Sequence, residues 1–166
     1  MSKTHILLIC LCLCAIVVMP AMAFTTTSLA ITLAPDGDAR AEIHYDLSYV
    51  EQTAVFLRIA DPAAELKKAF DANSPEPVSV IEATSSSAVI LLPSFAAVSV
   101  KDRKKTMETP AVSFERAQKV LDQYWFAPLI SPDLSPKVTT ITFPDGYNVA
   151  FDDQLVIPPV SHTAAS

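Results

Sequence analysis

His44 and Asp46 stand two residues apart in an alternating stretch, so a strand there turns both side chains to one face. With His162 and the Asp152-Asp153 pair they would supply the imidazole and carboxylates that a zinc ion or a hydrolytic centre requires. Glu42, Asp46, Asp152 and Asp153 also offer the paired carboxylates used in glycoside hydrolysis. A metal site, however, needs two ligands on a rigid element and a third close by, and His162 follows Pro158-Pro159 in a polar segment that reads as a tail. Among eighteen acidic residues, carboxylate pairs arise readily by chance. His44 and Asp46 are therefore expected on the solvent face of a hairpin, as candidate surface residues. No catalytic residue, metal ligand or cofactor is assigned.

Other chemistries are disfavoured by what the chain lacks. It contains no Gly-x-Ser-x-Gly elbow, HExxH helix, phosphate loop or dinucleotide fingerprint. Its only two glycines fall in the repeated triplet Pro35-Asp36-Gly37 and Pro144-Asp145-Gly146. Lys101, Arg103, Lys104 and Lys105 form a basic cluster that either touches an anionic polymer or headgroup or is a solvated turn that discourages edge pairing. Tyr124-Trp125-Phe126 with Leu129-Ile130 has the composition of an interface anchor and, at helical spacing, equally that of a core stripe.

The apolar run from Ile6 to Met19, with Lys3 before it and Pro20-Ala21-Met22-Ala23 after it, has the form of a secretory signal, with cleavage expected after Ala23. Left uncut, Ile6 to Ala23 would be just long enough to anchor the chain in a bilayer. Cys10, Cys12 and Cys14 all lie in this leader, so the mature domain is cysteine-free and must hold together by apolar burial. Without the leader there are eleven basic and eighteen acidic side chains, a net charge of −7 that argues against nucleic-acid binding. The expected division is a leader at 1–23, one domain at 24–160 and a C-terminal tail at 161–166.

Period-two alternation predicts strands over 29–33 and 39–47, with Arg40, Glu42, His44 and Asp46 on the wet face. Pro35-Asp36-Gly37 would turn that first hairpin, and Pro144-Asp145-Gly146 a second within 137–158, each glycine supplying the positive φ. Strands are also expected at 78–81, 88–92 and 96–100, with a return strand ending near Thr109-Pro110, and a bulge at Asp152-Asp153. A capping box at Ser48-Tyr49-Val50-Glu51 predicts a helix over about 49–59, with a continued strand from Ala54 as the alternative. Asp61-Pro62 predicts a second helix through Phe70. Ser113 caps a third, whose stripe is Phe114, Ala117, Leu121, Tyr124 and Trp125. The expected class is α+β: an antiparallel sheet built from hairpins, with two or three amphipathic helices packed on one face.

The run Tyr124 to Ile130, followed by Thr142 to Tyr147 and Ile157-Pro158-Pro159, resembles small exported proteins of methane-producing archaea that have no assigned activity. The resemblance implies an exported, surface-associated domain and brings no catalytic residues. Taken together, the residues suggest a non-enzymatic domain of the cell envelope or exterior that binds a protein or a surface polymer, with the membrane engaged only through an uncut leader. The alternatives are a small hydrolase or lyase using strand-borne carboxylates with His44, and a membrane-tethered sensor. Convergence of His44, Asp46, Asp152 and His162 in one cleft would favour the enzyme, and scatter would favour binding.

Overall fold

A computed structural model describes residues 25–46, 67, 71, 76–123 and 133–165. Alternating apolar and polar residues give β1 (Thr25–Leu33) and β2 (Ala39–Asp46), which pair antiparallel from Thr25 opposite Asp46 to Leu33 opposite Ala39. β3 (Ser79–Ala83) and β4 (Ser87–Leu92) add on the β2 side, and β8 (Val138–Thr142) and β9 (Asn148–Asp152) on the β1 side, in the order β3-β4-β2-β1-β8-β9. β4 is the strand whose apolar run covers both faces: Ala88, Val89, Ile90 and Leu92 are all buried, and it lies between two partners. β1 and β8 run parallel, with Ile31 opposite Ile141.

That parallel pair places both Pro-Asp-Gly turns side by side at one end of the sheet. The two turns use the same bonds. In the first, Gly37 N donates to Ala34 O at 3.1 Å and Ala34 N to Asp38 O at 2.8 Å; in the second, Gly146 N donates to Phe143 O at 2.9 Å and Phe143 N to Tyr147 O at 2.8 Å. Each aspartate also accepts from the amide two residues on, Asp36 from Asp38 and Asp145 from Tyr147. Both glycines have positive φ, +101° and +88°.

Among the described residues, two smaller sheets and the connections beside them pack against the inner face of this sheet. β5 (Ala97–Lys101), β6 (Lys104–Glu108) and β11 (Ser161–Ala165) form a three-stranded antiparallel sheet in the order β11-β6-β5. β7 (Val112–Ser113) pairs with β10 (Val156–Ile157). Met107, Val112 and Ile157 from these strands, with Phe95, Phe114 and Leu134 from the connections between elements, share one core cluster with Leu29, Ile31, Ile43, Ile90 and Ile141.

The expected α+β class is thereby corrected. The described residues are 56 % strand and 7 % helix, a β-rich fold in which the one helix described from end to end is the short α1 (Glu115–Leu121). The large sheet is mixed rather than wholly antiparallel. The physical reason is that, among the described residues, short strands and the connections beside them supply the apolar side chains packed on the inner face, the role assigned from sequence to helix stripes. Ser113 does cap α1, its Oγ accepting from Glu115 N at 3.4 Å, but the chain has left the helix by Asp122-Gln123. Tyr124 to Ile130, the helix expected over 49–59 and the leader expected at 1–23 lie outside the described residues, as does all of the helix expected from Asp61 to Phe70 except Lys67, which is helical. Residues 161–165, expected as a tail, form β11, and Thr109 and Val160 clamp its approach through Thr109 N to Val160 O at 2.9 Å and Val160 N to Thr109 Oγ1 at 3.0 Å.

Candidate functional site

The outer face of the large sheet presents rows set by strand register. One row is Arg40, Thr32, Thr142 and Asn148; the next is Glu42, Ala30, Thr140 and Ala150; the third is His44, Ser28, Val138 and Asp152. The β2 position of each row is an ionisable side chain, and the β1, β8 and β9 positions are mostly small or hydroxylated. His44, Arg40, Ala30, Thr32, Asn148 and Ala150 are exposed. At β4 the same face becomes apolar, with Leu91 exposed opposite Arg40 and Val89 buried opposite Glu42.

His44 and Asp46 thus lie on one exposed face, as expected. His44 Nε2 is 3.3 Å from Glu42 Oε1, its neighbour along β2. Asp152 shares the His44 row but stands three strands away, about 14 Å at ordinary strand spacing. His162 is elsewhere, on the three-stranded sheet. The proposed His44, Asp46, Asp152 and His162 constellation does not come together, and among the described residues no three His, Cys, Asp or Glu side chains gather in a way that could hold a metal ion.

A different pairing appears at the end that carries the two turns. His162 Nε2 lies 2.7 Å from Asp145 Oδ2. The Tyr147 ring stacks on the imidazole at 4.1 Å and 11°, and Phe143 meets it edge-on at 5.0 Å and 62°. The bond to His162, and next the amide of Tyr147, hold the Asp145 carboxyl below its ordinary range. A carboxylate bonded to an imidazole fixes the orientation of that ring, and here the aromatic pair fixes it as well. The cluster fastens β11 to the second turn. Sequence inspection missed it because the partners are 17 residues apart, one in a turn of the large sheet and the other on a strand of a different sheet. The available signals were an aromatic residue on either side of an aspartate turn and a histidine in a Ser-His-Thr stretch of strand composition.

The basic cluster divides in two. Lys101, Arg103 and Lys104 are exposed at the β5–β6 tip, where Asp102 and Arg103 adopt φ of 53° and 59° in a two-residue turn. Turns of that kind favour Asn and Gly, and each L-residue held there costs about 1 kcal/mol. Lys105 is not part of the exposed tip. Its ammonium donates to the Pro35 carbonyl, tying β6 to the first turn. Gly37 is packed at the same place: an added Cβ would stand 2.5 Å from Ala96 O, and Ala96 N donates to Gly37 O at 2.8 Å. The three-stranded sheet is therefore fixed to both turns, by β5 and β6 at the first and by β11 at the second.

Compared with protein families, with curated proteins and with solved structures, the chain matches none.

Proposed function

We propose that the chain is exported and acts, without catalysis, as a binding domain of the cell envelope or exterior, with the outer face of the six-stranded sheet as its contact surface. The observation that supports this reading best is the dispersal of the groups an active site would need. His44 sits on an open face beside Glu42, Asp152 lies three strands away, and His162 is engaged by Asp145 and Tyr147. The face itself is broad, pleated and largely polar, with hydroxyls and small side chains at its centre and ionic groups along β2. Such a face suits an extended, hydroxyl-bearing surface polymer, which meets it through many shallow contacts.

The experiment is co-sedimentation of the purified chain with isolated envelope polysaccharide, beside the same chain carrying Ala30→Arg and Ala150→Arg, two exposed positions in one row. Retention of the unaltered chain, weakened at least about tenfold by the paired substitutions, is the expected result. Retention on envelope protein and not on polysaccharide would move the partner to the protein class. Release of soluble fragments from the polymer, abolished by His44→Ala, would replace this reading with the hydrolase.

A further inference from the structure

β5 ends the β11-β6-β5 sheet, and all five of its residues are exposed, with Val98 at 37 % and Val100 at 68 %. Such an edge offers a row of backbone groups to another strand. Neither proline nor bulge interrupts it: the register with β6 runs without a shift from Ala97 opposite Glu108 to Lys101 opposite Lys104. In an antiparallel pair, successive residues direct their N–H and C=O alternately toward and away from the partner strand. Counted from the Lys101–Lys104 pair that closes the two-residue turn, Val98 and Val100 are the residues whose amide groups face the free edge. The Ala96 amide, just before β5, bonds to Gly37 O, so the first turn borders this edge at its Ala97 end.

We propose that this edge pairs with β5 of a second copy of the chain, antiparallel and centred on Ser99, joining two three-stranded sheets into one of six strands. This proposal stands on the edge alone and is independent of the binding reading above. The centred register sets Val98 opposite Val100 of the second copy, and Val100 opposite its Val98, so the groups facing outward are those that bond, and valine meets valine on one face. On the other face, Lys101 comes opposite Ala97 of the second copy, beyond which stands Glu108 in the same row. The small alanine leaves the lysine stem a path to that carboxylate, and the two-fold axis makes the contact twice. Within one chain Lys101 and Glu108 are at opposite ends of the hairpin, four residues or about 14 Å apart, so the pair exists only between copies.

The area is small, and the expected dimer is weak, with a dissociation constant of roughly 10–100 μM. Sedimentation velocity on the full chain from roughly 5 to 500 μM spans that range. Val100→Pro removes an outward N–H that β6 does not use and should leave the chain monomeric with its circular dichroism unchanged. Lys101→Glu should raise the dissociation constant roughly tenfold, as expected for two exposed ion pairs. Adding Glu108→Lys should restore it, which no contact within a single chain explains. Amide exchange at Val98 and Val100 should slow as concentration rises. A chain that stays monomeric throughout would overturn the proposal and leave the edge to a strand from another protein. So would a dimer indifferent to Val100→Pro, or one that the charge reversal fails to restore.

Discussion

The two glycines look alike in sequence and differ in what surrounds them. Both have positive φ, but Gly37 is packed beneath Ala96 and Val98 whereas Gly146 faces open space. Gly146→Ala therefore meets only the backbone penalty, about 1 kcal/mol, while Gly37→Ala adds a clash with a carbonyl that cannot move without shifting β5, and should cost more than about 2 kcal/mol. Denaturant midpoints of the two variants check that order. Asp145 gives a second residue-scale expectation. Its carboxyl is held low in the folded chain, chiefly by His162. A lowered folded value means that the contribution to stability is present above the ordinary carboxylate range and is lost as pH falls through the folded value. Asp145→Asn should lower the melting temperature at neutral pH, and the gap from the unaltered chain should close under acid. A gap of constant size from pH 7 down to acid unfolding would contradict this.

At the scale of elements, β11 is the decisive case. It pairs with β6 from Ser161 opposite Glu108 to Ala165 opposite Lys104, carries His162 to the second turn, and is preceded by the Thr109–Val160 clamp. Ending the chain at Pro159 should lower the melting temperature and bare the β6 edge, giving concentration-dependent aggregation on heating; a dispensable tail would change neither. The hairpins were legible because their instructions are local: Pro-Asp-Gly sets the turn, and period two sets the face. β11 was not, because Ser161-His162-Thr163-Ala164-Ala165 is short, lacks a clear alternation and pairs with a strand more than 50 residues away. The helical expectation after Ser113 began correctly at its cap and overran at its far end, since apolar spacing alone does not say where a helix stops.

At the scale of the molecule, a single core among the described residues joins the inner face of the six-stranded sheet to the smaller sheets and to Phe114, just before α1. Cys10, Cys12 and Cys14 lie outside the described residues, and no cysteine occurs after position 14. Cohesion of the domain therefore rests on burial and the strand ladders, and reductant should leave its melting temperature unchanged. A fall on adding dithiothreitol would show that Cys10, Cys12 or Cys14 cross-links the folded chain. The candidate surface residues divide by what the fold asks of them. His44, Asp46, Lys101, Arg103 and Lys104 remain on the exterior, whereas Lys105 is drawn into holding the first turn.

By itself, the amino-acid order determined which residues alternate, where the chain turns, and which faces of β1 and β2 are dry, because those properties depend on side chains within a few positions of one another. It did not determine that β1 and β8 lie parallel and bring two like turns together, or that, among the described residues, short strands and their connections pack on the inner face. Nor did it place His162 against Asp145. Those features arise from contacts between segments far apart in sequence, where several apolar surfaces compete to cover the same sheet and only packing in three dimensions selects among them.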